Sequence, residues 1–412
     1  MTVLLTRLAV LQAAIETTYN TPVALGVGDG FLVSDPKFSL KPNVLERNFV
    51  RQDLSPEPII IGRKIASIEF TTELRGNGLQ NSGLIGNAPV IARLFQACGY
   101  ALAASATPSA FGPYIVGDAP TPIAWTPAAG SATNTDVIAY YLTVTTPGIS
   151  GTAKITVTSD TTGEGSAAAF VTTATAIDLG TKGLTLTPVF TGSLVAGQQW
   201  VIWLMPPGLS LTPISNAFQS ITMALHMDNV LHSMPGAFGT FEITAQAGNF
   251  AMVKWTFTGT YVEPTDDANP SPTFETTLPS QVQLARLTVS QFQAIVEKFT
   301  FNQGNDIQIR PSVSASDGYV GVRITARKPE GGIDPEADTV ADNDFWGQFS
   351  AALRMPFQMR VGSVAGNTVW VIAPNTQYSG MTYQDRNGIL TYDAGLRFSR
   401  SVGNDEIAFF FC

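Results

Sequence analysis

The chain has 412 residues, of which 44% are apolar and only 13% charged, with a formal net charge of −9. That length implies two or three domains with a large buried core, and so small a charged fraction implies that other chains cover much of the surface. The balance of 23 basic against 32 acidic residues, with no run of three basic residues, excludes a dedicated nucleic-acid binder, which needs clustered Lys and Arg to neutralise phosphates.

In chain order, the mildly apolar opening "MTVLLTRLAVLQAAIETTY" is interrupted by Arg7 and followed closely by Glu16. It reads as neither a signal peptide nor a membrane span. "GVGDG" (Gly26 to Gly30) lacks the preceding strand and following helix of a phosphate loop and reads as a turn. Strands are expected at 31–33, 38–50 and 59–75. An extended loop, Arg51 to Ile60, joins the last two, because Pro56 and Pro58 stop regular pairing. Within the third strand, "SIEFTTELRGNG" alternates strictly: Ile68, Phe70, Thr72 and Leu74 share one face, and Glu69, Thr71, Glu73 and Arg75 the other. One dry and one charged face suit an antiparallel sheet. Arg75, near the strand end, is expected to form a salt bridge within or between subunits. A helix is expected over Ala88 to Leu102, where Val90, Ile91, Leu94, Phe95 and Cys98 recur at helical spacing behind Pro89, with Gly99 weakening its end.

Composition then shifts. Residues 108–212 hold seven charged residues and no Arg, against 48 charged residues in the rest of the chain. Short strand-like runs separated by Gly turns predict an all-β sandwich inserted into a host domain made of 1–107 and 213–412. Tyr140, Tyr141, Trp200 and Trp203 sit at buried positions of these runs. The host resumes with a hairpin around Asp228-Asn229. "AMVKWTFTGTYVEP" follows, with Val253, Trp255, Phe257 and Tyr261 on one face and Lys254 on the other; Lys254 is a candidate partner for an acid of "SIEFTTELRGNG". The Pro-rich run "EPTDDANPSPTFETTLPS" is a surface loop. A second hairpin turns near Ser316 to Gly318, "DNDFWGQFSAALRM" is a short helix capped by Asp342 or Asn343, and the remainder gives four or five strands. The last of these, "AFFFC", is apolar enough to pair as a strand.

Candidate chemistry is sparse. His226 and His232, with Asp228 between them, make a weak metal set and read as partly exposed strand residues. Asp334, Glu336 and Asp338 have calcium-loop spacing, but Thr339 and Phe345 stand where Gly and Glu are required, so a solvated acidic loop is expected. Cys98 and Cys412 read as unpaired thiols suited to a reducing compartment. Nothing like G-x-S-x-G occurs. No enzyme, metal or cofactor is implied.

The order of several segments carries a resemblance. "IETTYNTP", "SIEFTTELRGNG", "LHSMPGAFGTFEITAQAG", "FTFNQGN", "APNTQYSGMTYQDRNGILTYDAGLRF" and "NDEIAFFF" together resemble the tail tube proteins of long, flexible-tailed (siphovirus-type) bacteriophages. The segment 108–212 resembles the Ig-like domains that decorate phage tail proteins. The resemblance implies a mainly β fold, a tail-tube sandwich or barrel with long hairpins and one flanking helix. It further implies a structural virion protein that self-assembles into stacked hexameric rings, a conduit for viral DNA. Glu69, Thr71 and Glu73 would then face the lumen, where acids repel DNA. Arg51, Gln52, Asp53, Leu54, Ser55, Pro56 and Glu57 would reach the neighbouring ring. The implied partners are further copies of the chain, tape measure and tail terminator or tip proteins, and DNA passing without specific binding; no membrane is involved. Assembly in the host cytoplasm and residence in the virion tail follow from the same resemblance. The alternative is a tail-tip or capsid decoration protein that binds host-surface carbohydrate through the Ig-like segment; an exposed aromatic cluster within 108–212 would favour it.

Overall fold

β-Branched and aromatic residues at alternate positions, punctuated by Gly and Pro, make this chain mainly strand. The computed structural model describes all residues except 1–3, 6, 48, 51, 80–85, 87, 118–122, 284, 285 and 316.

The N-terminal part carries β1 (Ala9–Ile15), a single 3₁₀ turn η1 (Val27–Asp29), β2 (Gly30–Phe31), β3 (Ser34–Leu45), β4 (Ile60–Glu73), helix α1 (Ala92–Ala97) and β5 (Tyr100–Ser105). Eight strands follow: β6 (Ser109–Val116), β7 (Ile123–Ala128), β8 (Ile138–Thr146), β9 (Lys154–Ser159), β10 (Ser166–Phe170), β11 (Ile177–Asp178), β12 (Thr185–Phe190) and β13 (Gln199–Met205). They form a five-stranded sheet, β10-β9-β8-β13-β6, facing a three-stranded sheet, β11-β12-β7. The chain returns through β14 (Gly208–Pro213), β15 (Ile221–Met227), β16 (Val230–Gln246), β17 (Met252–Thr260) and the short β18 (Thr265–Asp266). Then come β19 (Leu287–Val289), β20 (Phe292–Gln293), β21 (Val296–Asn302), the hairpin β22 (Asn305–Pro311) and β23 (Tyr319–Arg327), and β24 (Glu330–Pro335). Helix α2 (Phe345–Ser350), β25 (Met355–Val361), β26 (Val369–Arg386), β27 (Ile389–Ser399) and β28 (Ala408–Phe411) complete it.

Four layers stack on one another. The first is the antiparallel succession β3-β4-β17-β16-β21-β24-β27-β26. The inward faces of β4, β17 and β16 (Ile68, Phe70, Trp255, Phe241) meet Leu209, Val371 and Phe409 of the second layer, β14, β28 and the first half of β26. Phe95 of α1 bridges the two, with ring centroids 5.0 Å from Trp255 and 5.0 Å from Phe409. On the far side of that second layer, Trp370, Ile372 and Phe410 pack against Tyr141, Val201 and Trp203 of the five-stranded sheet. A separate core (Tyr140, Leu142, Trp200, Ile202, Leu186) lies between the five- and three-stranded sheets. Strands β5 and β14, which lead into and out of residues 109–205, pair antiparallel, with Ser105 opposite Gly208.

Several expectations shift. The helix expected at 88–102 is only α1, because Gly99 takes φ +91° and turns the chain into β5, which pairs with β14. The strands expected at 31–33, 38–50 and 59–75 lie at 30–31, 34–45 and 60–73. The last rung of the β3–β4 pair is Leu45 opposite Ile60, so the loop begins earlier than expected. Asp344, rather than Asp342 or Asn343, caps α2: its carboxylate accepts the Gly347 N–H at 2.7 Å. The Asp228-Asn229 turn forms as expected, both residues having positive φ. "AFFFC" is also paired, as β28 between β14 and β26. The turn expected at Ser316 to Gly318 lies partly outside the described residues, but its strands β22 and β23 pair.

Candidate functional site

Alternation fixes which side chains of the first layer leave the core. On β4, Ile68, Phe70 and Thr72 are buried, while Glu69, Thr71 and Glu73 are partly exposed on the opposite face. Register extends that face across neighbouring strands. Glu69 lies opposite Lys37 of β3 and Thr256 of β17; Thr71 lies opposite Ser34 and Lys254; Lys254 in turn lies opposite Glu242 of β16. The face is therefore rich in hydroxyls, with acids and lysines interleaved. Glu73 is neutralised within the chain by Arg75, at 3.3 Å. The Arg75 guanidinium also donates to the carbonyls of Thr277 (2.7 Å) and Glu275 (3.3 Å), pinning the Pro-rich strap to the strand end.

The two ends of this layer differ from its middle. Among the described residues, β3 pairs with β4 alone, and its Pro36 and Pro42 are typical of an edge strand. At the other limit, strand pairing on the outer side of β26 stops at Thr376, with β25, while β27 continues to Arg386 on its inner side. Beyond Ile65, β4 has no β17 partner, so the β3–β4 hairpin projects as a two-stranded arm. Polar and charged residues such as Glu46, Arg47 and Asp53 alternate on it with exposed apolar ones: Val44 43%, Leu45 47%, Phe49 61%, Leu54 104%, Ile59 57% and Ile60 50%. Gln52, Asp53, Leu54, Ser55 and Pro56 are in extended or bent chain at the tip, with the Ser55 N–H donated to Asp53 Oδ1 at 2.9 Å. Arg51 lies outside the described residues. Glu57 is partly buried.

A polar network, as well as the apolar contact, holds the 109–205 sandwich to the host. Trp203 Nε1 donates to Gln358 Oε1 at 2.6 Å, and Gln358 Nε2 donates to Asp160 Oδ2 at 2.6 Å. Trp370 Nε1 donates to Asp136 Oδ1 at 3.0 Å, and Arg360 pairs with Asp136 Oδ2 at 2.8 Å. Tyr141 Oη donates to the Ser290 carbonyl at 2.8 Å. Burial pushes the Asp160 carboxyl up, against the opposing pull of Arg286 and the Gln358 hydrogen bond. Sequence reasoning placed Tyr141 and Trp203 as buried; it missed the Asp136–Arg360 and Asp160–Gln358 links, whose partners lie some 200 residues apart.

The remaining candidates resolve as structural. His226 is buried, and His232 stacks on Phe38 with centroids 4.2 Å apart. Burial holds both imidazoles below the usual histidine range, with Asp267 pulling His226 partly back. Asp228 is used by the Leu5 N–H, at 2.6 Å. Asp334 accepts the Glu297 and Lys298 N–H groups, while Arg386 pairs with Glu336 at 2.9 Å. In "GVGDG", Asp29 caps its own turn through the Gly26 N–H and pairs with Arg93 at 2.5 Å. Among the described residues, no group of His, Cys, Asp and Glu is arranged to hold a metal. Among the described residues, no helix is long and apolar enough to cross a membrane. Cys98 and Cys412 are free thiols.

No curated protein matches the chain. A family model described as phage tail tube protein matches residues 176–394, starting inside the sandwich and ending within β27. The match spans more than half of the chain, which therefore belongs to the phage tail tube protein family, structural components of the viral tail.

Proposed function

We propose that this chain builds the tail tube of a siphovirus-type phage, as hexameric rings that stack into a conduit for DNA. The observation that carries this reading is the first layer. Eight strands alternate in direction from β3 to β26, so the two limiting strands run oppositely. Rotation about an axis roughly parallel to the strands brings the β26 edge of one copy beside the β3 edge of the next, antiparallel, which is the pairing a sheet accepts. Repetition around a closed ring uses up both edges. Pro36 and Pro42 remove two N–H groups from β3, and elsewhere on the strand only alternate N–H groups point away from β4 and are free to take part.

In this arrangement the hydroxyl-rich face bearing Glu69, Thr71 and Glu73 lines the channel. Interleaved Lys37 and Lys254 make that lining nearly neutral and hydrated, so it neither holds nor strongly repels phosphate. The sandwich lies on the far side of the core from this face, which supports an outward-facing, Ig-like decoration. The arm with Arg51, Gln52, Asp53, Leu54, Ser55, Pro56 and Glu57 reaches the next ring, and tape measure and terminator or tip proteins complete the tail. The adhesion reading is less favoured: Tyr140, Tyr141, Trp200 and Trp203 are buried, and no aromatic side chain described within 108–212 is fully exposed. Negative-stain electron microscopy of the purified chain tests the proposal. Rings or tubes with a central hole are expected; a dispersed monomer at high concentration overturns it.

A further inference from the structure

We infer that an open cavity at the opposite end of the first layer is the seat for the apolar β3–β4 arm of a second copy, an inference that rests on the stacked-ring reading and adds the receptor to it. The register fixes the polarity. From the arm, β4 runs to Glu73, which lies opposite Met252 at the start of β17. Met252 lies opposite Thr244 near the end of β16, and Gln246 lies opposite Lys298 at the start of β21. The arm thus leaves one end of the sheet, and Thr244 to Gln246 mark the other.

At that other end, Ala245, Val282, Leu287, Val296, Phe299 and Met359 line a cavity of about 330 Å³, open to solvent. Ala247 and Gly248 form part of its wall, and the exposed Ile295 (66%) and Phe250 (43%) lie next to it in sequence. A volume of this order is in the range of built pockets and holds several apolar side chains. The arm supplies them: Leu54 is fully exposed at the tip, and Val44, Leu45, Ile59 and Ile60 follow on its strands. Such an exposed apolar projection is costly in water unless a partner covers it. The cavity wall carries one acid and one base, Glu297 and Lys298, so the match rests on apolar shape and on polarity along the strands. Because arm and cavity sit at opposite ends of one molecule, the contact is heterologous and does not close on itself. It propagates along the strand direction, as stacking requires.

The test uses the full chain with Cys412→Ser; Cys98 is fully buried and unreactive toward a bulky reagent. Leu54→Cys and Ala247→Cys are combined in one chain and treated with a short bismaleimide. A ladder of cross-linked oligomers is expected, absent when either cysteine is present alone. In parallel, Ala247→Arg on the wild-type background fills the cavity from an exposed backbone position. Its melting temperature is expected to stay within about 2 °C of wild type, and its rings to persist while mean tube length falls at least tenfold. Tubes of wild-type length from Ala247→Arg, or normal tubes with no ladder, overturn the receptor assignment and leave the ring reading standing. A wild-type chain that forms no rings overturns both.

Discussion

The carboxylate of Glu16 accepts the backbone N–H of Gly236 at 2.7 Å, across 220 positions of sequence. The same carboxylate accepts Ser220 Oγ at 2.6 Å and Thr222 Oγ1 at 2.7 Å, both buried, and the part-buried Asn20 N–H at 2.8 Å. Four donors converge on one anion and tie β1 to β15 and β16. Glu16→Gln puts an amide N–H₂ where a donor must be accepted, so buried donors lose their partner at about 1–3 kcal/mol each. Chemical denaturation is expected to show a loss of that size, with unchanged slope.

Gly236 meets Asn20 from the other side. Its φ is +63°, and a Cβ added there would stand 2.6 Å from Asn20 Oδ1. Gly236→Ala is expected to destabilise by about 1–3 kcal/mol through the strained backbone and the displaced Asn20. Asn20→Gly in the same chain should recover part of the loss in a double-mutant cycle; strictly additive effects would show that the two residues do not interact.

The sandwich is anchored strongly enough that removing it exposes a host surface. Deleting residues 106–207 and joining Ser105 to Gly208 through a short turn keeps the β5–β14 pair. It also bares Trp370, Ile372 and Phe410, and leaves Gln358, Arg286 and Arg360 without their partners on the sandwich. At about 1.5–3 kcal/mol per large apolar side chain, that is a substantial share of a domain's stability. The deletion alone is expected to be mostly insoluble. Adding Trp370→Thr and Phe410→Thr should restore soluble, cooperatively folding protein, as judged by yield and a single thermal transition.

Some of this was legible in sequence because it is local. The alternation of Ile68 and Phe70 with Glu69 and Thr71, the Asp228-Asn229 turn and the apolar β28 each follow from a few adjacent residues. The low-charge segment 108–212 overlaps the two separate sheets at 109–205, but β14 (Gly208–Pro213), also counted in that segment, pairs instead with β5 and β28. The short α1 was misjudged because helical spacing runs on through Cys98, whereas Gly99 and the pairing of β5 with β14 stop it. Glu16 looked like any polar residue, because all its partners but Asn20 arrive from residues 220–236. The Asp160–Gln358–Trp203 chain was equally hidden, since neither residue pattern nor spacing predicts which strands of two sheets will face each other.

Trp203 tests that chain directly. Trp203→Phe keeps most of the apolar contact and removes the donor to Gln358, a residue only 1% exposed. Leaving Gln358 Oε1 unsatisfied should cost about 1–3 kcal/mol. Adding Gln358→Leu to Trp203→Phe should give back part of the Trp203→Phe loss, although Asp160 then loses one donor. Thermal melts of the single and double variants read the difference.

Acid should weaken the host through its two histidines. Burial holds His226 and His232 below the usual range. The folded chain therefore binds fewer protons than the unfolded chain between the depressed folded values and about pH 6.5. Their contribution is complete above that upper limit and is lost as pH falls through the folded values. The stability gap between wild type and a His226→Asn, His232→Asn double variant is expected to move in the variant's favour from pH 7.5 to pH 5. A gap that stays constant over that span would show that neither imidazole titrates with unfolding.

Charge on β4 tests the channel directly. Glu69 and Thr71 point away from the core, and surface substitutions there usually move stability by no more than about 0.5 kcal/mol. Glu69→Lys with Thr71→Lys should therefore assemble normally while adding two cations and removing one anion per subunit beside Lys37 and Lys254. If this face lines the conduit, cations repeated around every ring will engage phosphate, and DNA will leave particles carrying the variant more slowly. The slowing should be strongest at low salt and fade as salt rises, because counterions replace the added contacts. Ejection rates equal to wild type at low salt, from particles of normal length, would place this face away from the DNA. Slowing that does not change with salt would point to altered tube geometry instead of phosphate contact.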